Sequence, residues 1–202
     1  MKAGVLASGR GSNLQALLNA AKTGSLGVRF VGVGSDNAEA EALGRAEQAG
    51  VPTRAFPLAL FSSRQEQERA VMFWFEELEA ELLILAGYMR ILSERFIRDI
   101  GCPIINIHPA LLPSFPGLNA QRQALTAGVR YSGCTVHYVD AGTDTGPIIL
   151  QQIVPVYEED TEETLAERIL QEEHLLLPEA VRLIAAGKVR LEGRRVRIER
   201  EA

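Results

Sequence analysis

The sequence predicts an α/β fold with a doubly wound, mostly parallel sheet and antiparallel strands at one edge. From Ala3 to His108, short apolar runs alternate with segments of helical periodicity. That alternation is typical of parallel strands joined by helices that cover both faces of a sheet. Further along, two strand-like runs at 134–139 and 147–156 are separated by a polar turn that contains glycine. They predict a hairpin of antiparallel strands at one edge of that sheet.

In the first half of the chain, each apolar run is followed by a helix signal. The predicted strands cover 3–7, 28–33, 53–56, 82–86 and 104–108, and the predicted helices cover 14–21, 38–50, 63–81 and 93–99. Gly50 is a stop signal for the second helix. Ser62 or Ser63 is positioned to cap the third helix, and Glu66 has the capping-box spacing from Ser63.

Three more elements are predicted in the second half besides the antiparallel hairpin. They are a helix at 122–127, a helix at 160–186 and a terminal hairpin at 189–198. Gly128 and Gly187 follow the two helices, where glycine commonly ends a helix, and Gly193 marks the turn of the terminal hairpin. Pro178 lies inside the long helix and removes a backbone hydrogen bond, so we expect a kink or a break there.

The composition is that of an ordinary globular protein. The chain has 202 residues, of which 47% are hydrophobic and 23% charged, enough for one domain with a sizeable core. Its net charge of −5 argues against nucleic acid, which attracts basic surfaces. No apolar run has the length of a signal peptide or a membrane span, and Cys102 and Cys134 lack metal or redox spacing. We therefore expect a cytoplasmic protein with buried thiols, no metal and no membrane contact.

The first candidate site is the segment Gly9-Arg10-Gly11-Ser12-Asn13-Leu14, between a strand and a helix. Glycine lets the backbone approach a ligand, and the N–H groups of a helix N-terminus attract anions. Leu14 replaces the third glycine of the dinucleotide fingerprint, and there is no P-loop lysine. The segment predicts a cradle for the phosphate of a mononucleotide or a sugar phosphate, with Ser12 and Asn13 as polar contacts. A tight strand–helix turn with a capping serine is the alternative.

The second candidate site is the end of the strand 104–108. Asn106 and His108 are two residues apart and therefore face the same side of the strand, which Pro109 ends. An amide beside an imidazole at this place is typical of an active site, although both could be structural. Asp144 either forms its glycine-flanked turn or approaches His108 and stabilises the charged imidazole. The other histidines are interpreted as structural: His137 in a strand and His174 on the long helix.

Four segments carry a family resemblance. They are Ser8-Gly9-Arg10-Gly11-Ser12-Asn13-Leu14-Gln15-Ala16, Leu85-Ala86-Gly87-Tyr88-Met89-Arg90-Ile91-Leu92, Asn106-Ile107-His108-Pro109-Ala110-Leu111-Leu112-Pro113 and Asp144-Thr145-Gly146-Pro147-Ile148-Ile149. Together they resemble the phosphoribosylglycinamide formyltransferases, which are folate-dependent formyltransferases of purine biosynthesis. The resemblance implies the formyltransferase fold and one domain over 1–187. It leaves 188–202 as a C-terminal hairpin or tail that is not a separate domain.

The resemblance implies transfer of a formyl group from 10-formyltetrahydrofolate to the amine of glycinamide ribonucleotide. The amine would attack the formyl carbon directly and give a tetrahedral intermediate, so the site must stabilise an oxyanion and move protons. By resemblance, Asn106 and protonated His108 hydrogen-bond the formyl oxygen. Asp144 would keep His108 charged and help to shuttle protons through water. The folate is a cosubstrate, and no tightly bound cofactor is implied.

Binding residues follow from the same resemblance. For glycinamide ribonucleotide they are Gly11, Ser12, Asn13, Pro109 and Glu173. For the folate they are Arg64, Met89, Arg90, Ile91, Leu92, Asn106, Asp140, Ala141, Gly142 and Thr143. Asn119 and Gln121 stand where relatives often have histidine, so any role of an imidazole at those positions is absent from this chain.

Other functions fit parts of the sequence. Hydrolases of 10-formyltetrahydrofolate have the same fold but carry an extra N-terminal domain, and here the first predicted strand starts at Ala3. Transfer to methionyl-tRNA or to a sugar nucleotide is a second possibility, but the tRNA enzymes need a further domain and a basic face. A non-catalytic nucleotide-phosphate binding module would explain the cradle but not Asn106, His108 and Asp144. We expect small-molecule partners, no nucleic acid, and a monomer or homodimer.

Overall fold

The computed structural model describes residues 1–199 and divides into two compact units. The first unit comprises Met1–Ile105, and the second begins at Asn106. Among the described residues, no helix is both long enough and apolar enough to cross a membrane.

The first unit alternates strands and helices. Its elements are β1 (Lys2–Leu6), α1 (Ser12–Lys22), β2 (Arg29–Ser35), α2 (Glu41–Gln48), β3 (Thr53–Ala55), α3 (Arg64–Glu77), β4 (Leu82–Leu85) and α4 (Glu94–Asp99). β1 pairs in parallel with both β2 and β4, and β2 pairs in parallel with β3. A single turn of 3-10 helix at Leu58–Leu60, which the sequence did not predict, precedes α3.

The second unit is dominated by a long hairpin and a long helix. Its elements are the end of β5 (Ile104–His108), α5 (Ala120–Ala127), β6 (Tyr131–Tyr138), β7 (Ile148–Pro155), α6 (Glu162–Ala185), β8 (Val189–Glu192) and β9 (Arg195–Ile198). β6 and β7 pair antiparallel, as do β8 and β9.

The strand order confirms the predicted fold class. Seven strands form a sheet in the order β3-β2-β1-β4-β5-β6-β7, and β8 and β9 form a separate two-stranded sheet. The predicted antiparallel hairpin, β6 and β7, lies at one edge of the larger sheet. The order reverses direction at β1, which is the feature that defines a doubly wound sheet.

The core of the first unit explains why a glycine-rich segment still forms a strand. Trp74 and Phe75 of α3 pack on the sheet, and a Cβ atom at Gly4, Gly32 or Gly34 would overlap their rings or nearby side chains. Glycine therefore leaves room for the aromatic residues of the helix. The loss of strand propensity is offset by the burial of two large rings.

Capping residues set the helix boundaries in the first unit. The Ser63 hydroxyl accepts a hydrogen bond from the Glu66 N–H at 3.2 Å, which confirms the predicted N-cap of α3. The predicted capping box is incomplete, because the Glu66 carboxylate accepts from the N–H and hydroxyl of Ser62 instead. α2 is shorter than predicted, since the Asn37 side chain accepts from the Glu39 N–H and forms a turn before the helix.

Tertiary contacts shift two boundaries in the second unit. β6 begins at Tyr131 and not at Cys134, because its pairing with β7 extends to Tyr131 opposite Pro155. α6 begins as predicted at the Thr161 N-cap, and it continues through Pro178 without the predicted break. Its buried residues on both sides of Pro178, including Leu177 and Val181, hold the helix against the fold.

The two cysteines form no disulfide. Cys134 is buried as predicted, whereas Cys102 is only half-buried. Burial raises the pKa of the Cys102 thiol to about 11. Burial, reinforced by the charges of Glu173 and Glu172, raises the pKa of the Cys134 thiol to about 12. Neither residue has the thiolate character that a nucleophile or a metal ligand needs.

A buried threonine ties the loop after β5 to the hairpin. The Thr135 hydroxyl donates to the Ala110 carbonyl at 2.7 Å and accepts from the Leu112 N–H at 3.1 Å. It also accepts from the Gln151 side-chain amide at 3.0 Å. Thr135, Ala110 and Leu112 are buried, so the Ala110 carbonyl and the Leu112 N–H have no access to water if the hydroxyl is lost.

Thr135→Val should therefore lower the free energy of unfolding by about 1–3 kcal/mol, because it keeps the shape but leaves buried polar groups unsatisfied. Chemical denaturation measures the effect. Thr53→Val is the matched control, since the Thr53 hydroxyl donates only to a surface carboxylate, that of Glu47, and should change stability by no more than about 0.5 kcal/mol. Equal stability of Thr135→Val and the unaltered protein would contradict the role given to the buried hydroxyl.

Candidate functional site

The end of β5 and the turn after β6 meet within the second unit. Asn106 and His108 leave β5 on the same side, and both approach the carboxylate of Asp144. His108 Nδ1 lies 3.3 Å from Asp144 Oδ2, and Asn106 Nδ2 lies 3.5 Å from Asp144 Oδ1. The prediction that Asp144 and His108 come within hydrogen-bond reach is confirmed.

Both ring nitrogens of His108 face oxygen atoms that can only accept hydrogen bonds. Nε2 is 2.8 Å from the Phe115 carbonyl oxygen, and Nδ1 faces the Asp144 carboxylate. A carbonyl and a carboxylate both require a donor, so this arrangement favours the doubly protonated ring. The His108 side chain is 6% exposed, and water therefore screens its interaction with Asp144 weakly.

Asp144 keeps its negative charge although it is largely buried. Burial by itself would raise the pKa of this carboxyl group. Hydrogen bonding with His137 and with the Gly117 N–H, together with the charges of His108 and His137, outweighs burial and holds the pKa of Asp144 below its ordinary value. The Gly117 N–H donates to Oδ2 at 2.8 Å. Asp144 is therefore ionised at neutral pH.

His137 is the residue of this cluster that sequence reasoning missed. The sequence predicts a structural strand residue here, and His137 is indeed buried in β6. Its Nδ1–H donates to the Tyr138 carbonyl at 2.9 Å. Its Nε2 lies 3.2 Å from Asn106 Nδ2 and 3.6 Å from Asp144 Oδ1, so it can accept from the amide or, when protonated, donate to the carboxylate. No local sequence signal distinguishes it, because only the pairing of strands brings it to Asn106.

The turn that carries Asp144 is tightly constrained. Asp144 itself has a left-handed backbone with a φ of 54°, and the Phe115 backbone opposite is also left-handed with a φ of 56°. Asp140 accepts hydrogen bonds from the Gly142 N–H and the Thr145 hydroxyl. Gly146 must be glycine, because a Cβ there would overlap the Tyr138 carbonyl oxygen. The turn is held in shape at both ends.

The remaining predicted residues of the second unit are placed as follows. Pro109 directly follows β5 and is half-buried, while Ala141, Gly142 and Thr143 are exposed at the tip of the turn. Glu173 is buried on α6, which is unusual for a carboxylate. It is therefore not one of the solvated residues on the surface of the helix. Asn119 is the N-cap of α5 and has a φ of 57°, a conformation that asparagine tolerates better than most residues. Gln121 is half-buried in the first turn of that helix.

In the first unit, the predicted cradle stands at the N-terminus of α1. Gly11 is the N-cap with a φ of 69°, and a Cβ at this position would overlap Ala42 of α2. No described side chain caps this helix end, so the capping serine of the alternative is absent, whereas the choice between a tight turn and a phosphate cradle stays a prediction. Ser12 and Asn13 follow in the first turn, where backbone N–H groups and the helix dipole favour an anion.

The predicted folate-wall segment, residues 89–92, is tied to its own unit at both ends. The Met89 N–H donates to the Ser8 hydroxyl, which in turn donates to Asp36, and Arg90 Nε donates to the other oxygen of Asp36 at 2.7 Å. At the far end, Arg64 donates to the Ile91 carbonyl. Between these anchors the side chains of Met89 and Ile91 are 66% and 69% exposed, whereas Leu92 is buried.

Among the described residues, neither a metal-binding cluster nor a cleft adds residues to the two predicted binding segments or to the Asp144 cluster. Within residues 1–199, no group of three histidine, cysteine or carboxylate side chains has the arrangement of a metal site. The first unit has an open cleft of about 730 Å³, lined by residues such as Lys2, Lys22 and Arg29. This cleft is at the starts of β1 and β2, whereas ligands of open α/β sheets bind at the carboxyl ends of strands.

Comparison with known proteins identifies the family. Residues 1–181 match the family described as formyl transferase. The phosphoribosylglycinamide formyltransferase of Escherichia coli (strain K12) is 39% identical over 187 residues, which cover 93% of this chain and 88% of that protein. The chain belongs to the phosphoribosylglycinamide formyltransferase family. The resemblance stated from the sequence motifs is confirmed.

Two further relatives of this chain differ in the share of their own length that the match covers. The chain is 50% identical to glycinamide ribonucleotide transformylase 1 from Symbiobacterium toebii, with a TM-score of 0.95 and coverage of 98% of this chain and 93% of that one. It is also 47% identical over 191 residues to the trifunctional purine biosynthetic protein adenosine-3 of Gallus gallus. That match covers 95% of this chain but only 19% of the longer protein.

His137 provides a test of this formyltransferase-family cluster that does not depend on activity. In His137→Phe the pKa of Asp144 should rise, because a hydrogen-bonding partner of the carboxylate is lost. Carbon NMR titration of the carboxyl group measures it. His137→Gln keeps a donor and should give a smaller rise, while the carboxyl of Asp160, which pairs with Arg168, should titrate unchanged. Identical titration of Asp144 in all three proteins would contradict the assigned contact.

Proposed function

We propose that the chain transfers a formyl group from 10-formyltetrahydrofolate to the amine of glycinamide ribonucleotide, a step of purine biosynthesis. The observation that carries the proposal is the convergence of Asn106, His108 and Asp144 in one largely buried cluster. Direct attack of an amine on a formyl carbon develops negative charge on oxygen and positive charge on nitrogen. A cationic imidazole beside an amide donor, with a carboxylate behind them, supplies complementary groups for both.

In this mechanism the formyl oxygen accepts hydrogen bonds from the His108 ring and the Asn106 amide. His108 Nε2–H donates to the Phe115 carbonyl oxygen. A hydrogen bond from this nitrogen to a ligand would therefore point in the same direction. A formyl oxygen bound there would accept the Nε2–H hydrogen bond together with the Phe115 carbonyl oxygen or in its place. The hydrogen bonds strengthen as the carbonyl becomes an oxyanion, which lowers the barrier more than it stabilises the bound substrate.

Asp144 and His137 support the two groups that hold the formyl oxygen, His108 and Asn106. Asp144 holds the charge of His108, and through water it would take the proton that leaves the attacking amine. The leaving folate nitrogen needs a proton in return, and the cationic ring is the nearest acid of the cluster. His137 is held by the hydrogen bond from its Nδ1–H to the Tyr138 carbonyl, which places its Nε2 beside both the Asn106 amide and the Asp144 carboxylate.

The binding residues are proposed in two groups. For the phosphate and remainder of glycinamide ribonucleotide we propose Gly11, Ser12, Asn13, Pro109 and Glu173. For the folate we propose Arg64, Met89, Arg90, Ile91, Leu92, Asn106, Asp140, Ala141, Gly142 and Thr143. The exposed Met89 and Ile91 side chains offer apolar surface that suits a flat heteroaromatic ring. Arg64 contributes by holding the Ile91 carbonyl in place.

The setting of the activity belongs to the same proposal. We propose a formyltransferase domain over residues 1–187, a length supported by the family match over 1–181, with 188–202 as a tail. The partners are the two small molecules, the folate is a cosubstrate, and no tightly bound cofactor is required. The protein acts in the cytoplasm, without nucleic acid, as a monomer or a homodimer.

An assay with purified protein, 10-formyltetrahydrofolate and glycinamide ribonucleotide should give free tetrahydrofolate and formylated product in equal amounts. Absorbance follows the folate, and mass spectrometry identifies the product. Folate release without glycinamide ribonucleotide would indicate a hydrolase and overturn the proposal. Phosphate-dependent binding without any turnover would indicate the non-catalytic binding module.

His108→Ala and Asp144→Asn should each lower kcat by about 100-fold or more, because each removes charge stabilisation in the transition state. Asp99→Asn is the matched control, since this surface carboxylate pairs with Arg95 and Arg98 on its own helix and should leave kcat unchanged. Circular dichroism and thermal unfolding must show that all variants fold. Near-normal kcat in a folded His108 or Asp144 variant would refute the role of that residue.

A further inference from the structure

The C-terminal hairpin lies against the part of the second unit that carries Asp144. β8 and β9 are joined by a turn at Gly193 and Arg194, and β9 packs against β7. This hairpin follows the region that matches the formyl transferase family, which ends at residue 181. No role proposed above for the formyl transfer involves a residue of this hairpin.

Arg194, at the tip of this hairpin, contacts the Asp144 turn at two points. Its Nη2–H donates to the Thr145 carbonyl oxygen at 2.5 Å, and its Nη1 lies 3.7 Å from Asp140 Oδ2. Asp140 also accepts from the Thr145 hydroxyl at 2.6 Å. Thr145 directly follows Asp144 and is thus held through its backbone by Arg194 and through its side chain by Asp140.

The Asp144 turn needs such support for two reasons. Its backbone at Asp144 is left-handed, a conformation that residues other than glycine seldom adopt unless the surroundings enforce it. Its tip is exposed, with Ala141, Gly142 and Thr143 open to solvent, so little apolar burial holds it down. A small displacement of the turn would lengthen the 3.3 Å contact between Asp144 and His108.

We propose that Arg194 is a positioning residue that braces the Asp144 turn for catalysis, so that the C-terminal hairpin is part of the catalytic apparatus. This proposal rests on the proposed formyl transfer. The other paired arginines of the hairpin differ in what they contact. Arg190 pairs with Glu199 and Arg197 pairs with Glu192, both within or beside the hairpin itself. Arg194 is distinguished from these two by a partner on the catalytic turn.

The test compares Arg194→Ala with Arg197→Ala, which removes an equally exposed arginine from the same hairpin. The first readout is hydrogen exchange of the amides at 140–146 in the unliganded protein. Arg194→Ala should speed this exchange and Arg197→Ala should not. Because the measurement needs no substrate, it tests the brace even if the chain has a different activity.

The second readout is kinetic. Arg194→Ala should lower kcat/KM for 10-formyltetrahydrofolate by about twofold to fivefold, the range expected for an exposed charge-assisted contact. KM for glycinamide ribonucleotide should not change. A loosened Asp144 should titrate closer to its ordinary range, so the acid limb of the kcat profile should move to higher pH. Arg194→Lys keeps the charge but loses the guanidinium group, whose two Nη atoms contact two different residues. It should recover part of kcat/KM.

Three outcomes overturn the proposal: unchanged exchange at 140–146, equal kinetic loss in Arg194→Ala and Arg197→Ala, or an acid limb that stays in place. Faster exchange together with no formyl transfer by the unaltered protein would leave the brace intact and refute the proposed function. Formyl transfer by the unaltered protein with unchanged exchange in Arg194→Ala would do the reverse. The two proposals therefore fail independently.

Discussion

A buried carboxylate that keeps its charge is the constraint on which the candidate site depends. The Asp144 side chain is only 14% exposed, so an unpaired charge there would be strongly unfavourable. Two histidines and the Gly117 N–H compensate for the lost water. Their arrangement explains why both Phe115 and Asp144 adopt left-handed backbones: each conformation lets the chain deliver a polar group to the cluster. Backbone strain of this kind persists only where the surroundings enforce it.

The surrounding elements of the second unit are built to hold this cluster still. Thr135 fixes the chain after β5 through two hydrogen bonds, and Gly146 lets the turn close on the Tyr138 carbonyl. The hairpin of β8 and β9 adds the Arg194 contact from beyond residue 181, where the match to the family model ends. Positioning of reactive groups to within about an ångström is worth large factors in rate, so supporting contacts far from the chemistry have catalytic consequences.

The first unit carries the two segments proposed to bind ligands, one through its backbone and the other through apolar side chains. The glycine at the N-cap of α1 leaves the helix end without a side-chain cap, so its first-turn amides suit a phosphate. The segment 89–92 is anchored by Asp36 at one end and Arg64 at the other. Its exposed apolar side chains, Met89 and Ile91, form the surface proposed to contact the folate ring. Exposing such side chains at a fixed place is unfavourable in isolation and is typical of a binding site.

The sequence by itself determined the alternation of strands and helices, the antiparallel edge hairpin, β5 with its same-side Asn106 and His108, and the family. These features depend on local periodicity and on short motifs. Only the tertiary structure decided that β6 extends to Tyr131, that α6 passes through Pro178, and that His137 and Arg194 reach the Asp144 turn. Each of these depends on contacts between residues far apart in the chain, where strand pairing and burial outweigh local preference. Local sequence carries no record of such partners, and so these residues look like ordinary strand and surface positions until the chain is folded.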